Sequence, residues 1–248
     1  MSDDPHLSVT QLKMYLRCPL QYFFRYVCGL KVPPTGDLTL GKTVHQSLDD
    51  NYRQKIKSHT DLPISDVTGL FSEHWDREAQ TTEFQKDEKP GNIKDEGVSI
   101  LNTYFKYVAP TVQPVDVERE FLIDTPTTTV PIKGYIDLVD DQGWIIDHKT
   151  TKRSYPDNSI AKDIQLTAYA MAYRALQGRN ENGVRLDVMV RSKQPRMQQL
   201  YGKRTEADIG RFLRLAEQVE RGIKSGVFYP ADNYTCGICG YQGMCEKW

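Results

Sequence analysis

Two rhythms of apolar and polar residues divide this chain. Up to about residue 110 the apolar positions recur at helical spacing, as with Val44, Leu48 and Tyr52, which share one face. Ser8-Val-Thr-Gln11 forms a capping box that opens a short helix ending near Cys18-Pro19. An aromatic-rich helix over 20–27 stops at Gly29, and 31–39, which holds two prolines, reads as a connector. Helices follow over 40–56, 66–79 and 94–108, the last two separated by a charged loop. From 117 the rhythm becomes that of strands, over 117–124, 131–139 and 144–150. A helix over 159–176 ends at Gly178, a strand covers 184–191, and 197–201 adds an edge strand. Thr205-Glu-Ala-Asp208 caps a final helix that runs to about Lys224. The expected fold class is α/β, a mixed sheet flanked by helices. It divides into a helical N-terminal lobe (1–110), an α/β core (111–204) and a C-terminal helix with a cysteine-bearing tail (205–248), all within one domain.

The segment Gly134–Lys152, GYIDLVDDQGWIIDHKTTK, carries the most chemistry. Gly143 closes a polar loop between β-formers, which is a hairpin signal. With Asp141–Gly143 as the loop, Val139 pairs with Ile145 and Asp137 falls opposite Asp147. Carboxylates facing each other across a ladder repel, so a chain that keeps both is suited to binding a cation between them. Residues two apart share a strand face, so Lys149 points with Asp147 while His148 points away. Hard ions such as Mg²⁺ or Mn²⁺ take carboxylate and carbonyl oxygens, which Asp137, Asp147 and the His148 carbonyl supply. A lysine beside them orients or deprotonates an attacking water. The competing reading is a solvated hairpin edge with ordinary charges.

Composition narrows the field only modestly. The 248 residues are 39% hydrophobic and 26% charged, with a net charge of −1, so any contact with nucleic acid must use a local basic surface. Residues 185–204, with Arg185, Arg191, Lys193, Arg196, Lys203 and Arg204, are a candidate. No apolar run reaches membrane-spanning length and MSDDPHLS lacks the regions of a signal peptide, so a cytoplasmic protein without a membrane partner is expected. Gly36–Thr43 matches the P-loop pattern, but Pro33 and Pro34 precede it where a buried strand is required, so it is read as a decoy. Of five cysteines, Cys236, Cys239 and Cys245 provide three thiolates close in sequence, one short of a four-ligand site. Their spacing suits a [4Fe–4S] cluster or Zn²⁺ and does not decide between them.

Gly134-x-x-Asp137 followed by Asp147-x-Lys149-Thr150 resembles the core motif of the PD-(D/E)xK nucleases, in particular their RecB-like branch. Gly41-Lys-Thr-Val-His45 resembles that branch's first motif, Gln165-Leu-Thr-Ala-Tyr169 its Q-x-x-x-Y motif, and Cys18 with Cys236, Cys239 and Cys245 the iron–sulfur clamp of AddB and the CRISPR-adaptation nucleases. The resemblance implies a restriction-endonuclease-like fold. It implies an Mg²⁺- or Mn²⁺-dependent DNA exonuclease acting on single strands or free ends. Metal ligands would be His45, Asp137, Asp147 and the His148 carbonyl. Lys149 would position water, while Gln165 and Tyr169 hold the substrate or brace the lysine. Cys18 would complete a structural [4Fe–4S] site, with Zn²⁺ as the alternative occupant. A helicase or an integrase would be the protein partner. Glu120 is a weaker candidate near the metal, with Glu118 competing. A non-catalytic DNA-binding or scaffold subunit is the alternative function.

Overall fold

The computed structural model describes residues 5–248. A two-residue strand, β1 (Leu7–Ser8), leads into α1 (Val9–Arg17). The Ser8 and Gln11 side chains accept from each other's backbone amides, at 3.0 and 2.6 Å, which supplies the capping box. Next come α2 (Pro19–Tyr22) and a π-helical turn, Phe23–Val27, after which Gly29 takes φ +68°. Three helices build the N-terminal lobe: α3 (Gly36–Ser58), α4 (Ile64–Glu78) and α5 (Pro90–Tyr107). The strands β2 (Pro114–Ile123), β3 (Ile132–Asp140) and β4 (Trp144–Thr151) follow. Then come α6 (Ile164–Gln177), β5 (Gly183–Val190), β6 (Arg196–Gly202), α7 (Glu206–Lys224) and the short α8 (Gln242–Cys245).

The sheet runs β1-β3-β4-β5-β6, with β2 antiparallel to β3. Strand β3 pairs with β2 along almost its whole length, so β1 and β4 must share its other edge. There β1 takes Ile132 and Lys133 in parallel, while β4 takes only Leu138 and Val139, opposite Ile146 and Ile145. Gly143 closes the hairpin with φ +81°. Between those contacts the β3 edge from Gly134 to Asp137 is unpaired. Strand β4 leaves β3 where Asp137 and Asp147 would meet, and pairs in parallel with β5 from Trp144 to Thr151. The strands diverge where two opposed carboxylates repel, and that opening houses the candidate site.

Two cores flank the sheet. Leu40, Val44, Leu48 and Tyr52 of α3 pack with Phe71, Trp75 and Tyr104 of the lobe against Leu138, Ile146 and Met189. Leu12, Leu166, Phe212 and Ala216 pack with Phe121, Ile145, Leu186 and Val188 on the other side. At Gly134 a Cβ would lie 2.4 Å from the Phe121 ring, which is only 2% exposed and has no room to move. Gly134→Ala is therefore expected to cost about 1–3 kcal/mol, roughly 2–12 °C in melting temperature. An unchanged melting temperature would contradict the close β2–β3 packing.

Several expectations change. The connector after Gly29 is shorter, because Thr35 caps α3 through Leu38 N and draws Gly36–Thr39 into the helix. The P-loop-like residues are thus helical. Residues 157–162 form a 3-10 turn, and α6 begins only after Asp163, whose side chain accepts from the amides of Gln165 and Leu166. Half of the supposed basic surface is structural. Arg185 pairs with Asp187 at 2.9 Å, Arg191 with Asp37 and Glu96, and Arg204 donates to Thr167 Oγ1 and to the Ile160 and Asp163 carbonyls. Lys193, Arg196 and Lys203 remain exposed.

The metal clamp expected at Cys18, Cys236, Cys239 and Cys245 is not found. Among the described residues, the group of ligand atoms lying within 4.8 Å of one another is His45, Asp137 and His148, and no set of sulfurs closes to that distance. The thiols turn to protein partners instead: Cys18 Sγ to the Tyr229 carbonyl at 4.0 Å, Cys236 Sγ to the Ala231 carbonyl at 3.9 Å, and Cys239 Sγ accepts from Gln21 at 3.8 Å. They line a shared cavity, yet what joins the chain ends is the apolar packing of Leu20, Phe24 and Tyr241, with Tyr241 Oη donating to the Leu30 carbonyl at 2.8 Å. Neither a [4Fe–4S] cluster nor Zn²⁺ is assigned. Cys28 is exposed. No helix among the described residues is long and apolar enough to cross a membrane. The reading of MSDDPHLS rests in part on residues 1–4, which lie outside the described residues.

Candidate active site and metal centre

Strand β4 is the spine of the site. Its alternation sends Asp147 and Lys149 toward α1 and α6, and His148 toward α3 and α5. Asp147 is fully buried, and neither carboxylate oxygen has a hydrogen bond of good geometry. The Lys149 ammonium lies 2.5 Å from Oδ2 as an ion pair. Burial pushes Asp147 up to about 7, and the negative charge of Asp137 adds to the shift against the pull of Lys149. Against its own burial, Lys149 is held above its ordinary range by Asp147 and Asp137. The lysine is therefore a firm cation. The aspartate is a carboxylate in need of more positive charge than one lysine supplies.

Asp137 joins the two halves of the site. Its Oδ1 accepts from Tyr169 Oη at 3.0 Å, and its Oδ2 accepts from the His148 amide at 3.3 Å. His45 Nδ1 is 3.5 Å from the same Oδ2, while His45 Nε2 sits 2.6 Å from the His148 carbonyl. Although burial works the other way, His45, Lys149 and His148 hold Asp137 below the usual carboxylate range. His148 is fixed by a 2.9 Å hydrogen bond between its Nε2 and Tyr104 Oη, itself bonded to Tyr52 Oη at 2.8 Å. Burial lowers His148 to about 4, so its imidazole is neutral and able to ligate. The strand pattern turns this side chain away from Asp147, yet a ring nitrogen joins His45 and Asp137 in the close group. Asp147 is not part of that group.

Helix α6 supplies a polar face. Gln165 and Tyr169, four apart, lie one above the other, and Gln165 Nε2 donates to Tyr169 Oη at 2.6 Å. Gln165 Oε1 accepts from Lys149 at 3.3 Å and from Lys13 of α1 at 2.7 Å. A continuous chain thus runs from two lysines through an amide and a phenol to Asp137. Lys13 was invisible in sequence because no local motif marks it; only the docking of α1 on α6 brings it in.

The acid near the metal group is Glu118 and not Glu120. Glu120 stays at the surface, 2.7 Å from Lys133, and accepts from Tyr135 Oη at 2.9 Å. Glu118, with φ +48°, lines a small hollow with His45, Asp137 and His148. Burial and the charge of Asp137 raise its carboxyl to about 7. Simple alternation places both acids on one face, whereas the left-handed backbone at Glu118 separates them.

The residues fit a divalent cation. Two imidazoles and a carboxylate lie close together, and Asp147 adds a buried carboxylate without hydrogen-bond partners. Oxygen donors mixed with imidazole favour Mn²⁺ over Mg²⁺, although carboxylates suit both.

A family model described as the PD-(D/E)XK nuclease superfamily matches residues 6–246. Among solved structures, a presumptive exonuclease from Eubacterium rectale superposes with a TM-score of 0.57 at 13% identity, covering 94% of this chain and 86% of its own. At that identity the likeness is one of fold. A second, a protein called SSO0001, has 15% identity and a TM-score of 0.40 over 96% of this chain and 95% of its own, and carries no argument. A search among curated proteins finds no match. With the match spanning both lobes and the β4 site, the chain belongs to the PD-(D/E)XK nuclease superfamily.

Proposed function

We propose that the protein is a Mg²⁺- or Mn²⁺-dependent deoxyribonuclease of the RecB-like branch, acting as an exonuclease on single-stranded DNA or DNA ends. The observation that carries this reading is the buried Asp147 carboxylate, without hydrogen-bond partners, paired with Lys149 where β4 parts from Asp137. His45, Asp137, Asp147 and the main chain or imidazole of His148 are the proposed metal ligands. A cation held by these residues would supply Lewis-acid charge and make a water more acidic. Lys149, held cationic, orients the attacking water by hydrogen bonding and offsets charge developing on phosphorus. Gln165 positions the lysine, and Tyr169 fixes the Asp137 carboxylate through its hydroxyl proton.

A single-stranded substrate is favoured by the cavity beside the site. About 450 Å³ in volume, it is lined by Asp137, Gln165 and Tyr169 of the site and by Tyr26, Lys133 and Tyr135. Tyr26 and Tyr135 are partly exposed aromatic faces, and such faces stack unpaired bases for about 1–3 kcal/mol each. Tyr135→Ala is expected to raise the Kd for single-stranded DNA roughly 5- to 150-fold. With Mn²⁺ the wild type is expected to degrade linear single-stranded DNA and spare a circle of the same sequence. Equal cutting of the circle would replace the exonuclease reading with an endonuclease.

A further inference from the structure

Lys13 reaches the site from α1 and donates to Gln165 Oε1 at 2.7 Å, the same oxygen that accepts from Lys149 at 3.3 Å. Two ammonium groups therefore share one neutral acceptor. Removal of Lys13 from water lowers its pKa, and the charge of Lys149 lowers it further, against the opposing pull of Asp163, Asp147 and Asp137. Lys13 is exposed at the edge of the site, and a hydrogen bond from an exposed ammonium to a neutral amide contributes little to the fold. The charge facing both lysines is that of carboxylates, two of which, Asp137 and Asp147, are proposed to hold a cation. Once their charge is committed to a metal, the lysines converge on a place suited to an anionic oxygen. A phosphodiester carries such oxygens, and lysine meets them as a point charge.

We infer that Lys13 binds a non-bridging phosphodiester oxygen of the substrate strand and forms, with Lys149, a two-lysine phosphate clamp across Gln165. The inference rests on the nuclease reading above. It makes the N-terminal helix part of the active site, since α1 docks through Leu12 and Tyr15 on the core beneath α6 and α7. Lys13 then contacts substrate from one side while Lys149 works from the other.

The test measures single-stranded DNA binding with Ca²⁺ in place of Mn²⁺, so that the carboxylates hold a cation, with the strand verified to be uncut after each measurement, for the wild type and for Lys13→Met, Lys13→Gln and Lys13→Arg. Strands carry one neutral methylphosphonate linkage, moved position by position from the end. Each phosphate contact on a single strand contributes about −0.7 to the slope of log K against log salt. Loss of Lys13's charge in the Met or Gln variant should weaken binding about tenfold and make that slope shallower by about 0.7. The linkage whose neutralisation hurts the wild type should matter little to either variant, and Lys13→Arg should keep most of the affinity. Folded Met or Gln variants that keep the wild-type slope and linkage pattern overturn the clamp, whether or not their affinity falls, since a fall alone marks a prop for Gln165. The Gln variant retains a hydrogen bond to Gln165 and serves if the Met variant does not fold. A wild type that neither binds nor cuts DNA overturns the nuclease reading and the clamp together, whereas cutting with unaltered variants overturns the clamp alone.

Discussion

Asp147→Asn is expected to lower metal-dependent cleavage by about 10³-fold or more, the loss of several kcal/mol of charge stabilisation, without unfolding the protein. The side chain is fully buried, and burial raises its folded-state pKa to about 7, well above its value in the unfolded chain. A group raised in this way contributes stability below its unfolded pKa, and that contribution is lost as pH rises through the folded value. At pH 8 the metal-free wild type therefore carries a buried negative charge that asparagine, of nearly the same shape, does not. Lys149 loses a partner at 2.5 Å but keeps Asp137 and Asp163 nearby. In EDTA at pH 8 the variant should melt no lower than the wild type. Adding Mn²⁺ should raise the wild-type melting temperature, more at pH 8 than at pH 6, because Asp147 must give up a proton held up to about 7 for a cation to bind. The variant should lose most of that shift. A variant that keeps the full shift would remove Asp147 from the metal site.

Lys149→Met carries the second largest expected effect, a loss of about 10²–10⁴ in rate with the metal-induced melting shift retained. Asp147 and Asp137 hold this lysine charged, so its contribution is that of a donor and a positive charge rather than of a base. Lys149→Arg keeps the charge in a broader, planar group and should recover only part of the rate. Loss of both cleavage and the metal shift in Lys149→Met would instead make the lysine a support for the carboxylates. Single-turnover cleavage beside thermal melting separates the two cases.

Much of this site was legible because its parts are local. The register Val139 to Ile145 follows from a loop closed by one glycine with positive φ, although the ladder ends at Leu138 and Ile146 and does not pair Asp137 with Asp147. Capping boxes at Ser8 and Thr205 marked two helices through chemistry contained within four residues. The departures involve contacts between distant segments or a break in periodicity. Glu118 and Glu120 part because of a left-handed residue, which alternation cannot express. The arginines of 185–204 look like a basic surface only until Asp187, Asp37 and Glu96 are brought beside them. The cysteines do approach one cavity from both chain ends, but their sulfurs turn to carbonyls and an amide and close on no common centre. Spacing in sequence conveys proximity of thiols and says nothing of where they point.

The most direct test of the central claim is cleavage of end-labelled linear single-stranded DNA by the purified protein, with Mn²⁺ and with EDTA, beside Asp147→Asn. Degradation is expected to need the metal and to disappear in the variant. DNA binding without cleavage under any divalent cation, or cleavage that survives Asp147→Asn, would contradict it.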